Sequence, residues 1–316
     1  MMQWLSQAPS NIALIKYMGK KDEVNNIPDN PSLSYTLNQL LSSVVLETTQ
    51  GKKDFWEPLE IPGAGSFTLS QPAQTRFLEH LARLKAHFHY SGAFVVRSSN
   101  NFPHSSGLAS SASSFAALTK CAVLALSELT NTPLPSVETQ AQLSRLGSGS
   151  SCRSFFAPWA LWQEEKVSSV QIHYQELEHQ VIIISHDEKK VSSKEAHRRV
   201  KTSTHYPTRP QRANENLKVL LTAFEAKDWE SAYHICWREF HDMHQLFMTC
   251  KEPFSYMTDN TRKALHSLQD LWQREGDGPI VTMDAGPNIH LLYRPDQAEM
   301  ALQFKRDHLV GNYDVL

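Results

Sequence analysis

Four short stretches run apolar or alternate with period two, the pattern of a strand with at least one buried face: residues 43–48 (SVVLET), 92–97 (GAFVVR), 181–185 (VIIIS) and 289–293 (IHLLY). Helical periodicity fills much of the rest. Beyond Gly107, an Ala-rich segment places Phe115, Leu118, Ala122, Ala125 and Leu129 at three- and four-residue steps, which predicts a long core helix. Residues 211–226, 229–248 and 259–274 read as three further helices, punctuated by Pro207, Pro210 and Pro253. Strands and helices therefore mix in both halves of the chain. A boundary is expected between 180 and 190, where a buried-looking strand gives way to a polar, basic segment, so that residues 1–185 and 186–316 form two units.

The chain has 316 residues, enough for two domains with a substantial core in each. Its 31 Lys and Arg balance 33 Asp and Glu, leaving a net charge of −2, so no global field draws it to nucleic acid or to an anionic membrane. Any anion must be held by local groups. Cys121, Cys152, Cys236 and Cys250 form no CxxC pair, which points to reduced thiols rather than a disulfide framework. Residues 1–6 lack a basic stretch followed by an apolar one, and no unbroken apolar run approaches 18 residues. A cytoplasmic protein that does not enter a membrane is the expectation.

Chemistry concentrates in a few places. Asn101 to Ala112 (NFPHSSGLASSA) lies between a predicted strand and the long helix. At such a junction the first helical N–H groups lack partners and the positive end of the dipole faces outward, so the loop suits a phosphate, with serine hydroxyls as added donors. Taken alone, the stretch reads equally as a Ser-capped helix after a solvated loop. Near the start, Lys16 ends an apolar strand-like run; a buried lysine needs an anionic companion, whereas one at a strand end can snorkel to water. Asp284, in the turn TMDAGPN before an apolar strand, is either an ordinary turn residue or a carboxylate presented to a phosphoryl acceptor. The Gly/Ser turn of residues 147–154 delivers Arg153, an exposed linker residue or a fork for a substrate carboxylate.

Together and in this order, the segments resemble the GHMP superfamily of small-molecule kinases, and within it the mevalonate diphosphate decarboxylases. Pro103-x-x-x-Gly107-Leu108-Ala109-Ser110-Ser111-Ala112 is similar to the superfamily's ATP-phosphate motif. Asn11-Ile12-Ala13-x-Ile15-Lys16-Tyr17-x-Gly19-Lys20, Gly147-Ser148-Gly149-Ser150-x-Cys152-Arg153-Ser154 and Asp284-Ala285-Gly286-Pro287-Asn288 resemble the decarboxylase signatures. The resemblance implies an α+β protein with a two-domain GHMP-kinase-like fold: an N-terminal α/β domain with the nucleotide loop, and a C-terminal ferredoxin-like domain. It also implies a reaction in which ATP, with Mg2+, phosphorylates the tertiary hydroxyl of mevalonate 5-diphosphate. Phosphate and carbon dioxide then leave to give isopentenyl diphosphate. Asp284, Lys16 and Arg153 would be catalytic, Arg153 holding the substrate carboxylate. Tyr17, Lys20, Ser148, Ser150, Ser193 and Lys194, with Ser192 beside them, would bind the substrate. Pro103, Gly107, Leu108, Ala109, Ser110 and Ser111 would hold ATP. No protein-bound metal is implied, and a homodimer is.

Two positions depart from the family pattern. Met18 stands where the decarboxylases usually carry Trp, and residues 191–197 (VSSKEAH) lack the Arg or Thr after the serines and the Gly-Met that follows. Lys194 offers a point charge in place of a bidentate fork. Four other readings follow: a decarboxylase of mevalonate 5-phosphate, a kinase that stops at the phosphorylated product, a nucleotide-binding sensor without turnover, and a metal enzyme using His241 and His244. The last has no third ligand motif, so those histidines read as packing or surface residues.

Overall fold

The computed structural model describes residues 1–60, 68–102, 110–187 and 189–316. Strand β1 (Gln3–Ile15) runs into a small hairpin of β2 (Lys20–Asp22) and β3 (Ile27–Pro28), followed by the 18-residue β4 (Ser32–Thr49). Then come β5 (Phe55–Pro58), α1 (Gln71–His87), β6 (Ala93–Asn100), α2 (Ser110–Thr130) and α3 (Val137–Gly147). A 3₁₀ turn, Gly149–Phe155, leads into β7 (Trp159–Gln163) and β8 (Lys166–Ser169). The later half holds β9 (Glu178–Ile183), α4 (Ser193–Arg199), α5 (Arg209–Glu225), α6 (Trp229–Thr249), α7 (Asp259–Glu275), β10 (Ile280–Thr282), β11 (Ile289–Tyr293), α8 (Ala298–Phe304) and β12 (Asp314–Val315).

The long β4 organises the first sheet. Its first residues pair with β7 and its second half with β6, while β1 runs antiparallel along almost all of it; the full order is β5-β6-β4-β7-β8 with β1 on β4. Helices α1 and α2 cover that sheet over a core containing Val44, Leu46, Phe94, Val96, Phe115 and Leu118. α2 is apolar and long enough to cross a membrane by length and composition, yet 72% of its apolar window is buried inside the protein. It is a core helix, as its Ala-rich periodicity predicts.

The second sheet, β10-β11-β9-β12, is antiparallel throughout. α6 starts on Asp228, whose side chain accepts from Ser231 N–H; α7 opens on a capping box of Thr258 and Thr261 and stops at Gly276 (φ +65°). The α+β class and both halves of the expected architecture are present. β9, expected to close the first unit, belongs to the second sheet, because its backbone pairs with β11 and β12 and not with β1 or β4. One core unites the halves: Ile12, Leu14, Ile15, Leu33 and Leu37 from β1 and β4 pack with Leu217, Leu220, Phe240 and Leu268 from α5, α6 and α7. The end of β1 is thereby driven into the seam between the two sheets, and Lys16 follows it.

Candidate active site

Lys16 is 1% exposed, so the snorkelling alternative does not hold. Its Nζ donates to Asp284 Oδ1 at 2.8 Å, joining the end of β1 to the β10–β11 turn across 268 residues of sequence. The Lys16 backbone is equally fixed. Its N–H donates to Glu239 Oε1 (3.0 Å), and its carbonyl accepts from Asn30 Nδ2 (2.8 Å) and Arg209 Nη2 (3.0 Å). Burial pushes the Asp284 carboxyl up, but the Lys16 ammonium and other nearby cations outweigh it and hold the group below the usual carboxylate range. Asp284 is therefore ionised at neutral pH. Burial lowers the Lys16 ammonium and Asp284 opposes that shift.

Arg153 sits in the 3₁₀ turn and is buried, not an exposed linker residue. Its Nε donates to Asn11 Oδ1 (3.0 Å) and its Nη1 to Ser32 Oγ (2.6 Å). Asn11 is in turn held by Ser154 Oγ (2.8 Å). Two arms of the fork are thus committed to the protein, and Nη2 has no partner among the described residues, in the field of Asp284.

Tyr17 packs against Trp162 (ring centroids 4.6 Å apart) and His197 (4.4 Å), and its buried hydroxyl has no hydrogen-bond partner among the described residues. Gly149 is required there, since a Cβ would come within 2.7 Å of that hydroxyl. Gly19, at φ +96°, turns the chain after Tyr17 and donates its N–H to His197 Nδ1 (2.9 Å). Lys20 Nζ reaches Asn26 Oδ1 (2.6 Å) and lies in the field of Lys194 and Lys201. Ser148 and Ser150 flank Gly149; Ser148 carbonyl accepts from Ser151 Oγ (2.6 Å), and Ser150 carbonyl from Asn11 (3.4 Å). Ser192 caps α4, and the exposed Ser193 and Lys194 open it.

Ser110 and Ser111 begin α2, whose first turn holds no acidic residue. The N–H groups of a helix start and two hydroxyls, with no acid in that first turn, suit a polyphosphate, and oxygen donors suit the magnesium that accompanies it. Pro103, Gly107, Leu108 and Ala109 lie outside the described residues. Among the described residues no group of three or more His, Cys, Asp or Glu could hold a metal ion. His241 contacts the Trp237 carbonyl and His244 the Asp284 carbonyl, so the pair serves separate neighbours. All four cysteines are free and buried.

Several contacts around the site carried no sequence motif. Lys189 Nζ bridges Ala285 carbonyl (2.8 Å) and Ser193 Oγ (3.2 Å), tying the Asp284 turn to α4. In the sequence it was one of a pair of lysines in a polar segment. Glu239 did leave a trace, as the one acid on the stripe Cys236, Glu239, Phe240, Met243, Phe247 of α6.

Comparison with known proteins places these segments in context. The diphosphomevalonate decarboxylase-like N-terminal domain matches residues 8–172, and the mevalonate 5-diphosphate decarboxylase C-terminal domain matches residues 180–313. The diphosphomevalonate decarboxylase of Aspergillus fumigatus is 30% identical, over 93% of this chain and 77% of its own length. A crystal structure of a mevalonate diphosphate decarboxylase from Legionella pneumophila is 68% identical and superimposes over the whole of both chains with a TM-score of 0.95. The complex of MDDEF with MVAPP, AMPPCP and magnesium is 27% identical, with a TM-score of 0.88 over 99% of this chain and 96% of that one.

Proposed function

The chain belongs to the diphosphomevalonate decarboxylase family, and from that premise we infer that it carries out the ATP-dependent decarboxylation of mevalonate 5-diphosphate. The products are isopentenyl diphosphate, ADP, phosphate and carbon dioxide. The observation that carries the assignment of roles is the pairing of the buried Lys16 with the part-exposed Asp284, with the uncommitted Nη2 of Arg153 in the field of its carboxylate.

A tertiary hydroxyl is a poor leaving group, so it is first phosphorylated. A carboxylate held below its usual pKa is a weak base, and a loose phosphoryl-transfer transition state needs little base strength before the new P–O bond forms. Asp284 thus orients the hydroxyl and takes its proton late, while Lys16 neutralises charge beside it. In the second stage the C–O bond to phosphate breaks as the electrons of the carboxylate's C–C bond form the alkene. Arg153 faces a balance here, because a grip that favours the carboxylate over the transition state would slow loss of carbon dioxide. With Nε and Nη1 already occupied, Arg153 presents one arm, which aligns the carboxylate without a full bidentate clamp.

Tyr17, Lys20, Ser148, Ser150, Ser193 and Lys194 are assigned to the substrate, with the 5-diphosphate beside Lys20 and Lys194. Ser110 and Ser111, with Pro103, Gly107, Leu108 and Ala109, are assigned to ATP, whose bound magnesium neutralises phosphate charge. The reading of two domains is kept, but with the boundary ahead of β9 rather than at 185/186, since β9 serves the second sheet. On family grounds we place the protein in the cytoplasm as a homodimer, for which light scattering should give twice the chain mass. ADP release with Mg-ATP, measured in parallel on mevalonate, its 5-phosphate and its 5-diphosphate, tests the substrate. Turnover of the diphosphate alone is expected; turnover of the 5-phosphate instead would trace to Lys194 and the altered segment around it.

A further inference from the structure

Two backbone contacts from one helix converge on the reacting pair. On α6, Glu239 Oε1 accepts the Lys16 N–H at 3.0 Å, and five residues later His244 Nε2 lies 3.1 Å from the Asp284 carbonyl. A carbonyl only accepts, so His244 carries its proton on Nε2 and donates it. Five residues on a helix rise about 7.5 Å, so the spacing of these two side chains is set by the helix itself.

We propose that α6 is the ruler that positions the Lys16–Asp284 pair, with Glu239 as the positioning residue for Lys16 and His244 as the positioning residue for Asp284. The proposal rests on the decarboxylase reading above. Lys16 reaches its partner on a four-carbon stem, and Asp284 stands in a turn, so neither is held in place by its own side chain or element. Glu239 is itself rigid: it is fully buried, paired with Arg209, and receives Asn216 Nδ2 at 2.6 Å. Arg209 closes the loop by donating to the Lys16 carbonyl (3.0 Å) and pairing with Asp242 on the same helix (2.8 Å). His244 is walled by Phe240, Phe247 and Tyr256, and burial keeps it neutral, so it supplies direction without charge. Sliding or tilting α6 would therefore move both members of the pair.

The test compares three substitutions at His244 in the full chain. Gln places an N–H near the position of the His Nε2, Asn places one near Nδ1, and Leu supplies neither. For each, kcat and KM for both substrates are measured with Mg-ATP and mevalonate 5-diphosphate across pH. The groups facing Asp284 are Lys16 from β1, Arg153 from the 3₁₀ turn, His290 from β11, His244 from α6 and Lys189 from the loop before α4. H244L and H244N are expected to lose ~10-fold or more in kcat with both KM values within about twofold, as for a geometric fault in the reacting centre. Their acid limb should move upward, because a displaced Asp284 feels Lys16 less. H244Q should recover most of kcat and the native limb. Equal kcat and equal acid limbs in H244Q and H244N overturn the proposal even if H244L does not fold. A wild-type protein that releases neither ADP nor carbon dioxide overturns the decarboxylase reading and this inference with it; active wild type with indifferent variants overturns the inference alone.

Discussion

An ammonium 2.8 Å from a carboxylate governs the chemistry at the residue scale. Because the folded-state pKa of Asp284 is depressed, its ionised form and the stability it contributes are present above the ordinary carboxylate value of 3.8 and are lost as pH falls through the lower folded value. The acid limb of kcat/KM due to Asp284 therefore lies below that value in the wild type. Replacing Lys16 with Met should shift this limb upward and lower kcat by ~10²-fold or more, read from a pH–rate profile. An unshifted limb in that variant would show that another group titrates. At Arg153, Lys retains the charge but loses the fork that Asn11 and Ser32 hold, so R153K should cost ~10²-fold in kcat/KM. Lys16, Arg153 and Asp284 were each ambiguous alone, since a lysine at a strand end, an arginine on a Gly/Ser turn and an acid on a tight turn all have ordinary local readings; their combination and order along the chain singled them out. Lys189 was not legible, since only the folded chain brings it to the carbonyl of Ala285.

At the scale of elements, apolar period placed α5, α6, α7 and β11 close to their observed bounds, and burial explains why. The three helices each bury a regular stripe, so their pattern is decided by the element itself, whereas β11 is buried throughout and was read as a short apolar run. β1 and the first part of β4 were harder to read: buried on both faces where they pack between the first sheet and the second half, they lose clean alternation. α6 illustrates a polar exception. Glu239 on its buried stripe is tolerated because Arg209, Asn216 and Lys16 N–H satisfy it; E239A would take one of the two carboxylates from the buried Arg209, leaving it Asp242, and would leave Asn216 Nδ2 and the Lys16 N–H without this acceptor. Urea denaturation should then show a loss of about 3–5 kcal/mol. In the 3₁₀ turn, Gly149→Ala would push Tyr17 from its place between Trp162 and His197. A displacement of that kind should lower kcat/KM for the diphosphate by up to ~10²-fold without a matching loss of stability.

Because its largest core is shared between the halves, the whole molecule should unfold as one cooperative body. Ile12, Leu14 and Leu33 from the first sheet lie among Leu220, Phe240, Leu291 and Leu292 of the second half, so a fragment of residues 186–316 would expose the faces that β1 and β4 now cover. Thermal unfolding followed by calorimetry and by near-UV circular dichroism should give one coincident transition; two separated transitions would show that the halves fold independently. The shared core also explains the site. Packing the end of β1 against α5 and α6 is what carries Lys16 across to the β10–β11 turn, so fold stability and reacting geometry depend on the same contacts.

The most direct test of the account is the stoichiometry of carbon dioxide and ADP released from mevalonate 5-diphosphate with Mg-ATP, by wild-type protein and by Asp284→Ala. One carbon dioxide per ADP, with both falling by ~10³-fold or more in the variant, is the predicted result. ADP without carbon dioxide would contradict decarboxylation in favour of a kinase, and undiminished release by the variant would contradict the role given to Asp284.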